Sequence, residues 1–152
     1  MNEIIEKFGA YLGSKVDRHP KAVRNVVGMV YKAVSLQASK KPNKEFTPAR
    51  EYGQAFMANS MSKMLFSPER AAVVNIFMSC ELFHALDIPV TAPEALACYI
   101  TNTAIEQPFL EDAERNGASE NFCSFHRCLM GLGTTDVLRS PLMIAHTTLG
   151  CD

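Results

Sequence analysis

The sequence predicts a mixed α/β fold, with a helical N-terminal region over residues 1–65 and the first part of a parallel, Rossmann-like α/β domain over residues 66–152. In the first region, apolar residues recur at helical spacing, which is typical of amphipathic helices. In the second, short apolar runs at 87–91 and 141–146 alternate with helical patterns. Helix–strand alternation of this kind favours a parallel sheet.

Three helices account for the N-terminal region. The first is predicted from an apolar series and ends before Pro20, because proline disfavours helix at the residue before it; its apolar positions are Ile4, Ile5, Phe8, Leu12 and Val16. The second begins near Pro20 and carries one valine stripe, at Val23, Val26, Val27, Val30 and Val34. The third begins at Thr47-Pro48, where a hydroxyl N-cap precedes proline at the first helical position.

The second region opens with a further start signal. Ser67-Pro68 predicts a buried helix over residues 71–86, since this stretch is apolar on most sides. The switch to helix–strand alternation is therefore expected at about residue 87. The β-branched segment 87–91 is the first predicted strand.

Helical patterns separate the two predicted strands. Pro93-Glu94 opens a helix that is expected to break at Pro108 and to stop near Gly117. A shorter helix is predicted from Cys123 to Met130, and Gly131 and Gly133 are expected to end it. The apolar run at 141–146 then forms the second predicted strand.

Composition and charge limit the possible functions. The chain is 47% hydrophobic, which suits a globular domain, and no apolar run approaches the roughly 20 residues of a membrane helix. Residues 1–50 hold ten Lys/Arg and four Asp/Glu (+6), and residues 51–152 hold five and twelve (−7), which sum to the net charge of −1. No aromatic residues interleave with the basic ones and no nucleic-acid motif is present, so neither a nucleic-acid nor a membrane partner is expected.

The cysteine content indicates a reducing compartment. Five cysteines are an odd number without the short regular framework of a secreted domain, which argues against disulfides. Two acidic residues precede the first basic one, Lys7, which is typical of neither a secretory nor a transit peptide. A cytoplasmic protein is therefore predicted. Cys80, Cys98 and Cys128 lie within predicted helices and are expected to be core residues.

The densest groups of chemically active residues are Cys123–Cys128 and His146–Cys151. Cys123 lies at a predicted loop-to-helix start and Cys151 follows a predicted strand, which are positions that suit iron–sulfur ligands. Their spacing matches no ferredoxin pattern, so two other interpretations stay open. Each cysteine could be a small buried hydrophobe. Alternatively, one Cys-x4-Cys pair, Cys123 and Cys128, and one His-x4-Cys pair, His146 and Cys151, could together bind zinc in a complete small module.

Three ordered blocks resemble the 2-hydroxyacyl-CoA dehydratase and benzoyl-CoA reductase family. Cys123-Ser124-Phe125-His126-Arg127 through Gly131 is similar to the family's CSFHR…G stretch. The run from Glu81 to Val90, followed by Pro93-Glu94, resembles its E-L…P-V…P-E segment, and Cys151-Asp152 resembles its C-D element. The resemblance covers about residues 66–152, and residues 1–65 have no recognised counterpart.

The resemblance implies a subunit of a two-subunit assembly in which three cysteines of each subunit hold a four-iron four-sulfur cluster. In the family, the open iron of one subunit coordinates the thioester carbonyl of an acyl-CoA substrate. An ATP-dependent activator protein supplies one electron, a ketyl radical forms, and the hydroxyl group is expelled.

Carried onto this sequence, the resemblance makes Cys123 and Cys151 the first two cluster ligands, which should be near neighbours in one cleft at the carboxyl ends of the strands. It makes Ser124, His126 and Arg127 candidate substrate-binding residues, with Arg127 suited to a CoA phosphate. The family's third ligand lies far downstream. The chain is therefore expected to be the N-terminal part of a dehydratase-like subunit, inactive alone. A benzoyl-CoA reductase-like subunit and a non-enzymatic zinc-stabilised or partner-binding module are the alternatives.

Overall fold

A computed structural model describes residues 3–101 and 105–147 of the chain. In this part the fold is mixed α/β and mostly helical, with seven α-helices and one three-stranded parallel sheet. The helices are α1 (Glu3–Gly13), α2 (Pro20–Lys40), α3 (Pro48–Phe66), α4 (Glu81–Ala85), α5 (Pro93–Thr101), α6 (Glu106–Arg115) and α7 (Ser124–Thr134). The strands are β1 (Ala72–Val74), β2 (Val90–Thr91) and β3 (Met143–Ala145), and a 3-10 turn spans Pro68–Arg70.

The three N-terminal helices confirm the predicted helical region. The predicted start of α3 is confirmed in detail, because the Thr47 side chain accepts a hydrogen bond from the Arg50 amide at 3.3 Å. The predicted strand at 87–91 corresponds to β2, and the run at 141–146 contains β3. Helix α6 stops at Arg115, and Gly117 follows with a positive φ of 95°.

The helix predicted over residues 71–86 is wrong. Ser67-Pro68 opens only a single 3-10 turn, and the chain then enters β1 at Ala72 before the five-residue α4. All three residues of β1 are buried, so the strand lacks the polar–apolar alternation that marks a half-exposed strand. Helix–strand alternation therefore begins near residue 72 instead of 87.

Two smaller corrections concern helix ends. Pro108 lies in the first turn of α6, where its missing amide costs no helical hydrogen bond, so it does not break the helix. Helix α7 continues through Gly131 and Gly133 to Thr134. Gly131 is needed there for close packing, since an added Cβ would overlap the backbone of Phe109 on α6.

The sheet order is β2-β1-β3, with β1 in the centre. Ala72 pairs with Val90 on one side and with Met143 on the other, and both pairings are parallel. The chain therefore adds β2 to one side of β1 and β3 to the opposite side. A reversal of this kind leaves a crevice at the carboxyl ends of the strands, where α/β proteins commonly bind ligands.

Two clusters of buried residues cover the sheet. We call the larger one the helical core; it joins Val73 of β1 to α1, α2, α3, α5, α6 and α7. Its members include Val27, Met61, Ile100, Phe109 and Leu132. The small cluster lies on the other face and consists of Ala72, Val74, Phe83 and Val90. Residues before and after position 66 share the helical core, and the predicted domain boundary stays a prediction.

Candidate functional site

The candidate site lies at the carboxyl edge of the sheet, beside the N-termini of α5 and α7. Helix α5 begins two residues after β2 ends at Thr91, so Glu94 in its first turn lies at this edge. His126, in the first turn of α7, lies next to it, with 3.9 Å between His126 Nε2 and Glu94 Oε1. The contact brings together the Pro93-Glu94 and CSFHR blocks, which are distant in the sequence.

Cys123 is the N-cap residue of α7, as the sequence predicted for a loop-to-helix start. Cys123 is exposed, and its side chain makes no capping hydrogen bond to the helix. The first amides of a helix point outward without helical partners, so they are free to bond a thiolate-bound group. The aromatic rings of Phe122 and Phe125 flank this position and are also partly exposed.

The ends of β1 and β3 are tied together at the same edge. Asn75 directly follows β1, and its Nδ2 donates to Thr147 Oγ1 at 3.0 Å. The Thr147 amide donates in return to Asn75 Oδ1 at 3.2 Å. The chain leaving β3 therefore lies beside the reversal point of the sheet at Thr147. Cys151 lies outside the described residues, so the predicted proximity of Cys123 and Cys151 stays a prediction.

Arg127 is engaged by the protein itself. Its guanidinium pairs with Glu114 on α6, and its side chain is only 14% exposed. Its Nε atom is buried without a hydrogen-bond partner among the described residues. A role in binding a CoA phosphate, as the resemblance implies, would require this ion pair to open. Ser124, by contrast, is exposed at the start of α7.

The remaining described cysteines differ in their surroundings. Cys128 is 2% exposed and belongs to the helical core, as predicted, and burial together with nearby Glu106 raises the pKa of its thiol to about 12. Cys80 is half-buried just before α4, where burial raises the pKa of its thiol. Cys98 is exposed on α5, so its prediction as a core residue is wrong. The face of α5 that it occupies could not be assigned from an apolar sequence.

The described residues fit one ligand position of a metal cofactor and not a complete set. Cys123 combines exposure with free helix amides, as a cluster ligand requires. Cys128 is enclosed in the core, which disfavours its joint use with Cys123 in a zinc site. Between residues 3–101 and 105–147, no group of three His, Cys, Asp or Glu side chains is arranged to hold a metal ion.

Sequence reasoning missed the two carboxylates that partner the CSFHR block. The sequence places Glu94 at a helix start without indicating its partner, although its position in the neighbouring block was a usable signal. No spacing pattern links Glu114 to Arg127, because their pairing depends on how α6 packs against α7.

Comparisons with known proteins identify no relative of this chain: no family model, no curated protein and no solved structure matches it. In the part of the chain that the structure describes, no helix has both the length and the apolar character needed to cross a membrane.

Proposed function

We propose that this chain contributes the N-terminal part of a 2-hydroxyacyl-CoA dehydratase-like iron–sulfur subunit with a Rossmann-like sheet. The observation that carries the proposal is the convergence of two of its blocks at one edge of the parallel sheet. His126 of the CSFHR block lies 3.9 Å from Glu94 of the Pro93-Glu94 block, beside the N-cap Cys123. Side chains that serve one site in such a subunit would have to meet in this way.

The sheet order also supports the proposal. The reversal at β1 opens the carboxyl edge between β1 and β3, and this is the edge where parallel α/β proteins bind ligands. Cys123 approaches the edge from α7. The chain that leaves β3 reaches Thr147 at the same edge, four residues before Cys151 in the sequence.

In this proposal Cys123 and Cys151 are ligands of a four-iron four-sulfur cluster, and a third ligand comes from outside these 152 residues. The bound cluster would supply one-electron reduction of an acyl-CoA. Ser124 and His126 would face the substrate, and Arg127 would hold α7 against α6 through Glu114. A benzoyl-CoA reductase-like subunit would use the same arrangement, and the acyl group is not specified.

Exposed apolar side chains in the connection between β1 and β2 support a protein partner, such as a second dehydratase-type subunit. Ile76 and Phe77 follow β1, and Leu82 and Leu86 lie on or next to α4; all four are more than half exposed. Several large exposed apolar side chains in one short connection favour an interaction surface. An ATP-dependent activator protein would be a further, transient partner.

The proposal can be tested on the intact gene product, purified anaerobically from its own cells. We expect about four irons and four sulfides per chain, visible absorbance from the cluster, and loss of both in Cys123→Ser. Cys98→Ser is the matched control, because Cys98 is an exposed cysteine remote from the CSFHR block in sequence. Stoichiometric zinc without iron would favour the zinc module, and iron retained in Cys123→Ser would remove the ligand assignment.

The 152-residue chain alone gives a second test. Metal affinity depends on a complete ligand set, so we expect anaerobic reconstitution with iron and sulfide to leave no stable cluster after desalting. Retention of about four irons per chain would contradict the need for an outside ligand.

A further inference from the structure

We infer that Glu94 is a positioning residue for His126, whose imidazole it holds with the Nε2 proton directed at its carboxylate and with Nδ1 left for a group bound beside Cys123. The geometry alone carries the orientation of the ring. The assignment of a bound group that Nδ1 would contact rests on the proposed function. The two parts can therefore fail separately.

The pair is partly shielded from bulk water. The side chains of His126 and Glu94 are 24% and 26% exposed, and 3.9 Å separates Nε2 from Oε1. This distance exceeds a direct hydrogen bond of about 2.7–3.2 Å. A modest rotation of the Glu94 side chain would close it.

Glu94 has no competing use in the described structure. Its Oε2 atom is buried, and no described group donates a hydrogen bond to it. A buried carboxylate oxygen without a donor costs free energy, so the carboxylate gains by turning toward the nearest donor. The basic side chain that contacts the Glu94 carboxylate among the described residues is His126, so its Nε2 is the donor nearest at hand.

The ring is also held from the side. The centroids of the Phe122 and His126 rings lie 5.7 Å apart, with the planes tilted by 40°. Contact with an aromatic ring and attraction to one carboxylate together restrict how the imidazole can turn. When one ring nitrogen is fixed in this way, the protonation of the other is fixed as well.

The charged and titratable groups around the ring are consistent with this role. Glu94 faces it from α5, the Arg127–Glu114 pair lies between α7 and α6, and Cys123 lies one turn earlier on α7. With the Nε2 proton directed at Glu94, Nδ1 of a neutral ring remains to accept a hydrogen bond at the mouth of the site. No bond to Nδ1 is formed within the described residues.

NMR of the chain with 15N-labelled histidine tests the inference without any cluster or substrate. Among the four histidines, we expect one ring N–H proton that exchanges slowly, resonates far downfield and couples to Nε2. His126→Gln should abolish it and thereby assign it. Glu94→Leu should abolish it too, because the acceptor is gone, whereas Glu94→Gln should retain a weaker form because its amide oxygen can accept.

Glu114→Leu is the matched control, since it removes the carboxylate that pairs with Arg127 and leaves Glu94 in place. Its downfield N–H signal should persist. A signal absent from the unmodified chain, carried by Nδ1, or unchanged in Glu94→Leu would overturn the inference. Backbone amide spectra of each variant verify that the fold is intact. Absence of iron in the intact gene product would refute the proposed function and leave this result standing.

Discussion

The two faces of the sheet are packed very differently. The helical core covers one face with members from six helices, and several of them are completely buried. The small cluster on the other face has only four buried residues. Strand β3, at one side of the described sheet, is also thinly covered: Ile144, which shares the face of its partner Val73, is 70% exposed. Cys123 therefore caps α7, a helix whose buried residues pack in the helical core. Strand β3, which precedes Cys151 in the sequence, lies at this thinly covered edge of the sheet, which should open locally at lower free energy.

A pair of phenylalanines measures this difference directly. Phe109 is completely buried in the helical core, whereas Phe83 lies in the small cluster. We expect Phe109→Ala to lower the free energy of unfolding by about 3–5 kcal/mol, the usual range for deleting a core aromatic ring. Phe83→Ala should cost about 1–2 kcal/mol, because α4 can collapse or open by itself. Urea denaturation followed by circular dichroism measures both, and equal losses would contradict the contrast between the faces.

Two glycines of α7 test how tightly the helical side is packed. An added Cβ at Gly131 would overlap the backbone of Phe109, whereas at Gly133 it would meet nothing. We expect Gly131→Ala to destabilise the fold by about 3 kcal/mol, since backbone cannot move as a side chain can. Gly133→Ala should raise stability by about 0.5–1 kcal/mol, through lower entropy of the unfolded chain. Thermal denaturation gives both values, and a tolerated Gly131→Ala would show that α6 and α7 can separate freely.

The better-packed region was also the better predicted one. The boundaries of α2 and α3 follow from local signals, namely the proline starts and, at Thr47, a hydroxyl that caps the helix. Strand β1 could not be recognised, because a three-residue strand buried on both faces resembles a piece of buried helix. Its strand identity is set by pairing with β2 and β3, which are remote in the sequence.

The candidate site shows the same limit. The position of Cys123 at a helix start follows from its own neighbourhood in the sequence. The pairing of His126 with Glu94, and that of Arg127 with Glu114, depend on how α7 packs against α5 and α6. Helix periodicity shows on which side of its helix a residue lies but not which residue of another helix it contacts. These two contacts therefore follow only from the three-dimensional packing.

The buried thiol of Cys128 makes the helical core sensitive to alkaline pH. Burial raises its pKa to about 12, while an unfolded thiol ionises near the ordinary value of about 8.5. The folded state therefore binds more protons above pH 8.5, and stability must fall as pH rises toward 12. Between about pH 8.5 and 9.5 we expect a loss of about 1 kcal/mol.

Denaturation at a series of pH values checks this expectation. Cys128→Ala should flatten the dependence, although its stability at pH 7 will be lower because of the lost packing. Cys98→Ser is the control, because Cys98 is exposed and should leave the slope unchanged. An equally steep slope in Cys128→Ala would contradict the assignment. Burial also raises the pKa of Tyr31, and its titration affects the stability of the fold only at higher pH.

The exposed edge of β3 should cause self-association and contribute almost nothing to stability. Leu142, Met143 and Ile144 are all substantially exposed, and β3 pairs only with β1 in the described part of the chain. Exposed apolar strand edges promote pairing with other chains, and an added lysine opposes it. We therefore expect Ile144→Lys to shift the chain toward monomer in sedimentation velocity, with a change in unfolding free energy within about 0.5 kcal/mol. Leu36→Lys places the same charge at an exposed apolar site on α2 and should leave association unchanged. If both variants acted alike, net charge would explain the effect, and the edge of β3 would not be a specific association surface.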